Sequence, residues 1–187
     1  MKYLFLLTFI YSSSIIAKTT QESIDIISVY YSPFAKIEGD LPEDDYNFND
    51  DYSSLSLDPG TAKGIKWVHK GDYVFFTEYF TVNTKSENDV ISRDKYQAIT
   101  VGSGFQDFVP LNNYFALYGG AFAGAGGSRF KLNDNKYRAH IDLSGELGIL
   151  MAETLSIGAG IKYQIIGYPT ETMAEVWLLN LNLSLWF

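Results

Sequence analysis

The stretch Trp177-Leu178-Leu179-Asn180-Leu181-Asn182-Leu183-Ser184-Leu185-Trp186-Phe187 decides the fold. Trp177, Leu179, Leu181, Leu183, Leu185 and Phe187 share one parity, while Asn180, Asn182 and Ser184 share the other. Successive side chains of a strand point to opposite faces, so this alternation writes one continuous apolar face. The facing set is made of small amides and hydroxyls, which suits a narrow polar interior.

The two preceding segments repeat the pattern. Leu155, Ile157, Ala159, Ile161, Tyr163 and Ile165 alternate with Ser156, Gly158, Gly160, Lys162 and Gln164. Ile141, Leu143, Leu147, Ile149 and Met151 alternate with Arg138, His140, Asp142, Ser144 and Glu146. In both, every charge falls on the parity opposite the apolar face. In a barrel that is the parity away from lipid, where an Arg or Lys at mid-bilayer depth costs about 2 to 4 kcal/mol.

Further upstream, strands are expected at residues 24–36, 61–69, 73–83, 95–105 and 114–125, although residues 73–82 are apolar on both parities. With the three already read the count is eight, an even number. The connections alternate as well. Residues 70–72, 106–113 and 152–154 are short, whereas 37–60, 86–94, 126–136 and 167–174 are longer and polar, the order of short periplasmic turns and long outer loops. After the first residues no apolar run approaches the ~20 residues of a spanning helix, so a membrane crossing requires strands closed on themselves. The expected fold class is all-β, an eight-stranded antiparallel transmembrane β-barrel. A soluble periplasmic barrel or sandwich is the alternative.

At the other end, Lys2, an apolar core over residues 3–10, the polar Ser12 to Ser14 and the small Ala17 have the layout of a cleaved secretory signal. The expected division is a signal peptide over 1–17 and one barrel domain over 18–187. The chain has no cysteine, which excludes both disulfides and an acylated N-terminal Cys. Its 14 Lys and Arg against 22 Asp and Glu oppose nucleic-acid binding, which needs cationic surface. With 14 Tyr and 13 Phe it is rich in aromatics that suit two membrane interfaces.

The segment Tyr114-Phe115-Ala116-Leu117-Tyr118-Gly119-Gly120-Ala121, following Val109-Pro110-Leu111-Asn112-Asn113, resembles the fifth-strand region of small outer-membrane barrels of the OmpX/Ail type and the related OmpA transmembrane domain. The terminal Phe187 resembles the assembly signal of such barrels. The resemblance implies a bacterial outer-membrane location, a non-enzymatic scaffold with outer loops for surface interaction or adhesion, and partnership with periplasmic chaperones and the barrel-assembly machinery. Location alone implies contact with outer-membrane lipid and lipopolysaccharide.

The candidate interior residues are Lys36, Lys66, Glu78, Arg138, His140, Asp142, Glu146 and Lys162. An eight-stranded barrel is just wide enough to be filled by side chains, so these charges read as a closed hydrogen-bonded network or as the lining of a gated path for ions or polar solutes. Residues 37–60 carry Glu38, Asp40, Glu43, Asp44, Asp45, Asp50, Asp51 and Asp58 with no Lys or Arg. Tyr46, Phe48 and Tyr52 are interleaved with them. This composition fits a solvated loop or a patch for a basic extracellular ligand, and its spacing does not match an EF-hand. His140, Ser144 and Glu146 supply the residue types of a hydrolase, but residues four apart along a strand are about 13 Å apart. Two histidines, His69 and His140, give little support to a zinc site. No enzyme activity, metal or cofactor is expected.

Overall fold

The computed structural model describes residues 23–39, 55–85, 95–130, 137–167 and 173–187. Eight strands run through them: β1 (Ile24–Gly39), β2 (Leu55–Lys70), β3 (Val74–Lys85), β4 (Lys95–Pro110), β5 (Phe115–Phe130), β6 (Arg138–Met151), β7 (Leu155–Gly167) and β8 (Met173–Trp186). Each pairs antiparallel with its neighbour in sequence, and β8 returns to β1, so the sheet is a closed barrel. At the seam the backbones of Asp25 and Phe187 exchange hydrogen bonds of 2.8 and 3.0 Å. Closure leaves no unpaired strand edge, the condition a β-structure must meet in lipid. The signal-peptide reading of residues 1–17 lies outside the described residues, as does most of the acidic 37–60 stretch.

The strands extend beyond several expected ends. The turn expected at 106–113 shrinks to 111–114, because Gln106 and Pro110 still pair with Gly120 and Ala116. Asn112 closes that turn, its side-chain oxygen accepting from the backbone N–H of Tyr114 at 2.8 Å and of Phe115 at 3.0 Å. Lys70, expected in a turn, ends β2 with its side chain buried. Residues 126–130, expected in a loop, continue β5 opposite β4.

Two prolines sit where the ladders slip. Between Tyr31 and Phe34 β1 advances three residues while β8 advances two, and Pro33 lies in that bulge. Pro59 lies in the corresponding slip of β2 against β3, between Asp58 and Thr61. A residue without an N–H is tolerated in a sheet at such a bulge, and the extra residue reverses which parity faces inward. Before Pro33 the buried residues are Ile26, Ser28, Tyr30 and Ser32; after it they are Ala35 and Ile37.

Outward-facing side chains form an apolar band that includes Val29, Ile65, Val101, Leu143, Ile161 and Leu181, all roughly half exposed or more. Aromatics mark its two borders. Tyr73, Tyr114, Phe115 and Phe187 ring the end where β1 begins and β8 ends, which also carries the three short turns, and Tyr163 stacks with Trp177 near the other, with ring centroids 4.3 Å apart. A soluble barrel or sandwich would bury this surface or make it polar; a band of this kind between aromatic girdles suits lipid.

The turn joining β6 to β7 offers a local test. Ala152 and Glu153 both have positive φ, 50° and 59°, a conformation that costs an L-residue about 1 kcal/mol or more and a glycine almost nothing. Glu153→Gly relieves about 1 to 2 kcal/mol of backbone strain against about 0.4 to 1 kcal/mol of added unfolded-state freedom, so a net stabilisation of up to about 1 kcal/mol is expected, read as a higher urea midpoint in detergent-micelle unfolding. A lower midpoint would contradict the turn geometry.

Candidate functional site: the filled lumen

The barrel interior is layered. Toward the termini it is packed with Ile26, Val68, Phe76, Ala116, Tyr118, Phe122, Leu150 and Trp186. Toward the other end Ala35, Ile37, Phe80, Val82, Tyr96, Ala98, Ile166, Val176 and Leu178 form a second apolar cluster. Between the two lies a belt of buried charges.

Sequence pattern places each member of the belt. On β6 the even residues Arg138, His140, Asp142 and Glu146 all point inward and are buried, as are Lys66 on β2, Glu78 on β3 and Lys162 on β7. Lys162 is the centre of one cluster: its ammonium bonds the carboxylate of Glu78, which also accepts from the hydroxyl of Tyr30, and lies 2.9 Å from Asp142 Oδ2. The side chains of Lys162, Glu78 and Asp142 are at most 2% exposed. A second cluster gathers on Glu146, which accepts from Lys66, from Gln106 Nε2 at 3.0 Å and from Asn182 Nδ2 at 3.2 Å. Lys66 and Lys162 each also sit over an aromatic face, Phe122 at 4.2 Å and Phe80 at 4.9 Å, an arrangement that favours a desolvated cation.

Of the eight candidates the structure joins five, Lys66, Glu78, Asp142, Glu146 and Lys162, in these two clusters. His140 bonds Thr100 across the lumen, with Nε2 and Oγ1 2.9 Å apart. Arg138 is buried at the start of β6, where the hydroxyl of Ser128 donates to its backbone carbonyl at 3.3 Å. Lys36 is a correction. The Pro33 bulge turns it outward, and it pairs with Glu38, their side chains 35% and 45% exposed. Sequence reasoning missed Tyr30, Thr100 and Gln106 as parts of the interior, and set Gln164, Asn180 and Asn182 on the inward parity without naming them among the candidates; all six are buried. Gln106 was hidden in an expected turn, while Asn180 and Asn182 were read on the polar face but not as partners.

The hydrolase arrangement does not assemble. His140 is engaged with Thr100 and Glu146 with Lys66, and neither has Ser144 as a hydrogen-bond partner. Among the described residues no group of three His, Cys, Asp or Glu side chains is placed to hold a metal ion.

This geometry, a closed eight-stranded barrel with an apolar exterior band and a packed lumen, defines the small outer-membrane barrel fold. A solved structure shares this fold. The chain is similar to Neisserial surface protein A (NspA), with a TM-score of 0.56 at 13% identity over 88% of this chain and 99% of that one. It also matches Ail, the attachment invasion locus protein of Yersinia pestis, at 19% identity over 88% and 99% with a TM-score of 0.37, and OprG from Pseudomonas aeruginosa at 11% over 90% and 97% with a TM-score of 0.46. No protein-family model matches the sequence, and neither does any curated protein.

The belt makes a stability prediction. Lys162→Met leaves Glu78 and Asp142 facing each other without their cation, and breaking such a buried pair costs about 3 to 5 kcal/mol. Lys36→Met, on the exposed Lys36–Glu38 pair, is expected to change stability by less than about 1 kcal/mol. Urea unfolding of the two variants beside the parent checks the contrast; equal effects would contradict the assignment of Lys162 to the interior and Lys36 to the exterior.

Proposed function

We propose that the chain is an outer-membrane protein of the non-conducting, non-enzymatic kind: a sealed barrel that anchors the connections at its far end on the outside of the cell. The observation that carries this reading is the filling of the lumen, with a belt of paired charges between two apolar clusters. Ion paths through wider barrels are lined by charges facing water, whereas here Lys66 and Lys162 are each held by carboxylates within the barrel. The apolar band and its aromatic borders support residence among outer-membrane lipid and lipopolysaccharide. The alternation of short turns with longer connections supports placing both termini in the periplasm, with Phe187 at the seam serving as the signal that the assembly machinery reads after chaperones deliver the chain.

On this reading the acidic 37–60 segment is the surface-interaction element, and its composition favours a basic extracellular partner held by charge and by the interleaved aromatics Tyr46, Phe48 and Tyr52.

Because the chain has no cysteine of its own, single-cysteine labelling tests the orientation cleanly. Asp45→Cys is expected to react with a membrane-impermeant maleimide on intact cells, and Asp72→Cys, in a short turn, only after lysis. The reverse pattern would overturn the orientation. The purified barrel is expected to be silent in a planar bilayer. A discrete, reproducible conductance step that changes on Glu78→Gln would instead establish the lumen as a channel.

A further inference from the structure

One part of the charge belt is not filled by protein. Glu146, Gly160 and Asn180 are register partners across β6, β7 and β8, and the middle one brings no side chain to the row. A Cβ at position 160 would lie 2.7 Å from the carbonyl oxygen of Gly145 and 3.3 Å from Glu146 Cβ, so glycine there keeps a space open. The space has a volume of about 20 Å³ and is walled by Lys66, Ser144, Glu146, Asn180 and Asn182 among others. A single water needs about 10 to 15 Å³ measured in this way.

The wall has the chemistry to hold one. The side-chain oxygens of Asn180 and Asn182 and the hydroxyl of Ser144 are enclosed and have no hydrogen-bond partner among the described residues, and both asparagines are more than nine-tenths buried. The two amide oxygens can only accept, while the hydroxyl can donate. A water molecule has two O–H donors for the first pair and a lone pair for the third. A cation would meet the same oxygens but also the ammonium groups of Lys66 and Lys162 on the wall; an anion would meet Glu78 and Glu146. A neutral ligand with two donors and an acceptor meets none of these repulsions.

We propose that this pocket is a binding site for one ordered water, donating to Asn180 Oδ1 and Asn182 Oδ1 and accepting from Ser144 Oγ, which satisfies three of the belt's unpartnered atoms. The water joins Asn182, already bonded to Glu146, to Ser144 two residues along β6, and so belongs to the seal. The inference rests on the sealed lumen proposed above.

The test is a crystal structure of the full barrel in detergent at a resolution that shows ordered solvent, with Ser144→Ala solved in parallel. The expected result is one isolated density about 2.8 Å from both amide oxygens and from Ser144, lost or weakened in Ser144→Ala with the barrel otherwise unchanged. A dry pocket, with Asn180 and Asn182 turned onto protein donors, would overturn the water site while leaving the seal intact. Shorter contacts to a full shell of oxygens would overturn it in favour of a cation. A continuous file of waters through both apolar clusters would overturn the site and the sealed lumen together. Density unchanged in Ser144→Ala would overturn the three-partner arrangement.

Discussion

The ammonium of Lys162, held between Glu78 and Asp142, ties β7 to β3 and β6 across the inside of the barrel. A charge enclosed at 2% exposure is tolerated only where opposite charges and hydrogen bonds replace its water. That requirement reaches outward through the structure. Glu78 needs Tyr30 as well as Lys162, and the neighbouring carboxylate of Glu146 needs Lys66, Gln106 and Asn182. Meeting it fixes the relative positions of β1, β2, β3, β4, β6, β7 and β8, because each contributes a side chain. A slip of one residue in β2, β3, β6 or β7 would carry a buried charge to the lipid face, and in β1, β4 or β8 a partner of one.

The apolar clusters above and below complete that constraint by separating the belt from bulk water. At the terminal end Trp186 packs edge-on against Tyr118 and Phe108, with centroids 5.6 and 6.3 Å away, and donates to Ser156 at 2.9 Å. Tyr118 in turn lies where a side chain on Gly158 would be, since a Cβ there would fall 2.2 Å from its hydroxyl. Glycine on one strand thus makes room for an aromatic from another. This large-against-small exchange is how a narrow barrel fills itself without strain in its strands.

Much of this was legible in the sequence for a simple reason. In β6, in β7 and in β8 from Leu179 to Leu185 the inward residues are mainly polar or glycine and the outward ones apolar, so period two reports facing directly. In β3 the interior holds Phe76, Phe80 and Val82 while the exterior holds Phe75 and Tyr79, and the alternation is lost because both faces are apolar for different reasons. In β1 the parity itself changes at Pro33, which is why Lys36 was placed inside and lies outside. The proline was visible; what it did to the register depended on pairing with β2 and β8. Gln106 was misplaced because Asn112, Asn113 and Pro110 mark a turn without saying how close to it the strand continues. The partnerships within the lumen were beyond reach, since they join residues from strands that lie opposite one another only after closure.

These strands close into a barrel, and closed barrels resist detergent until heated, so the direct measurement of outer-membrane residence is gel mobility of the outer-membrane fraction, unboiled beside boiled. Two distinct mobilities are expected, with the unboiled form converted to the other by heat. A single mobility in both lanes, with the protein released by osmotic shock into the soluble periplasm, would contradict that residence.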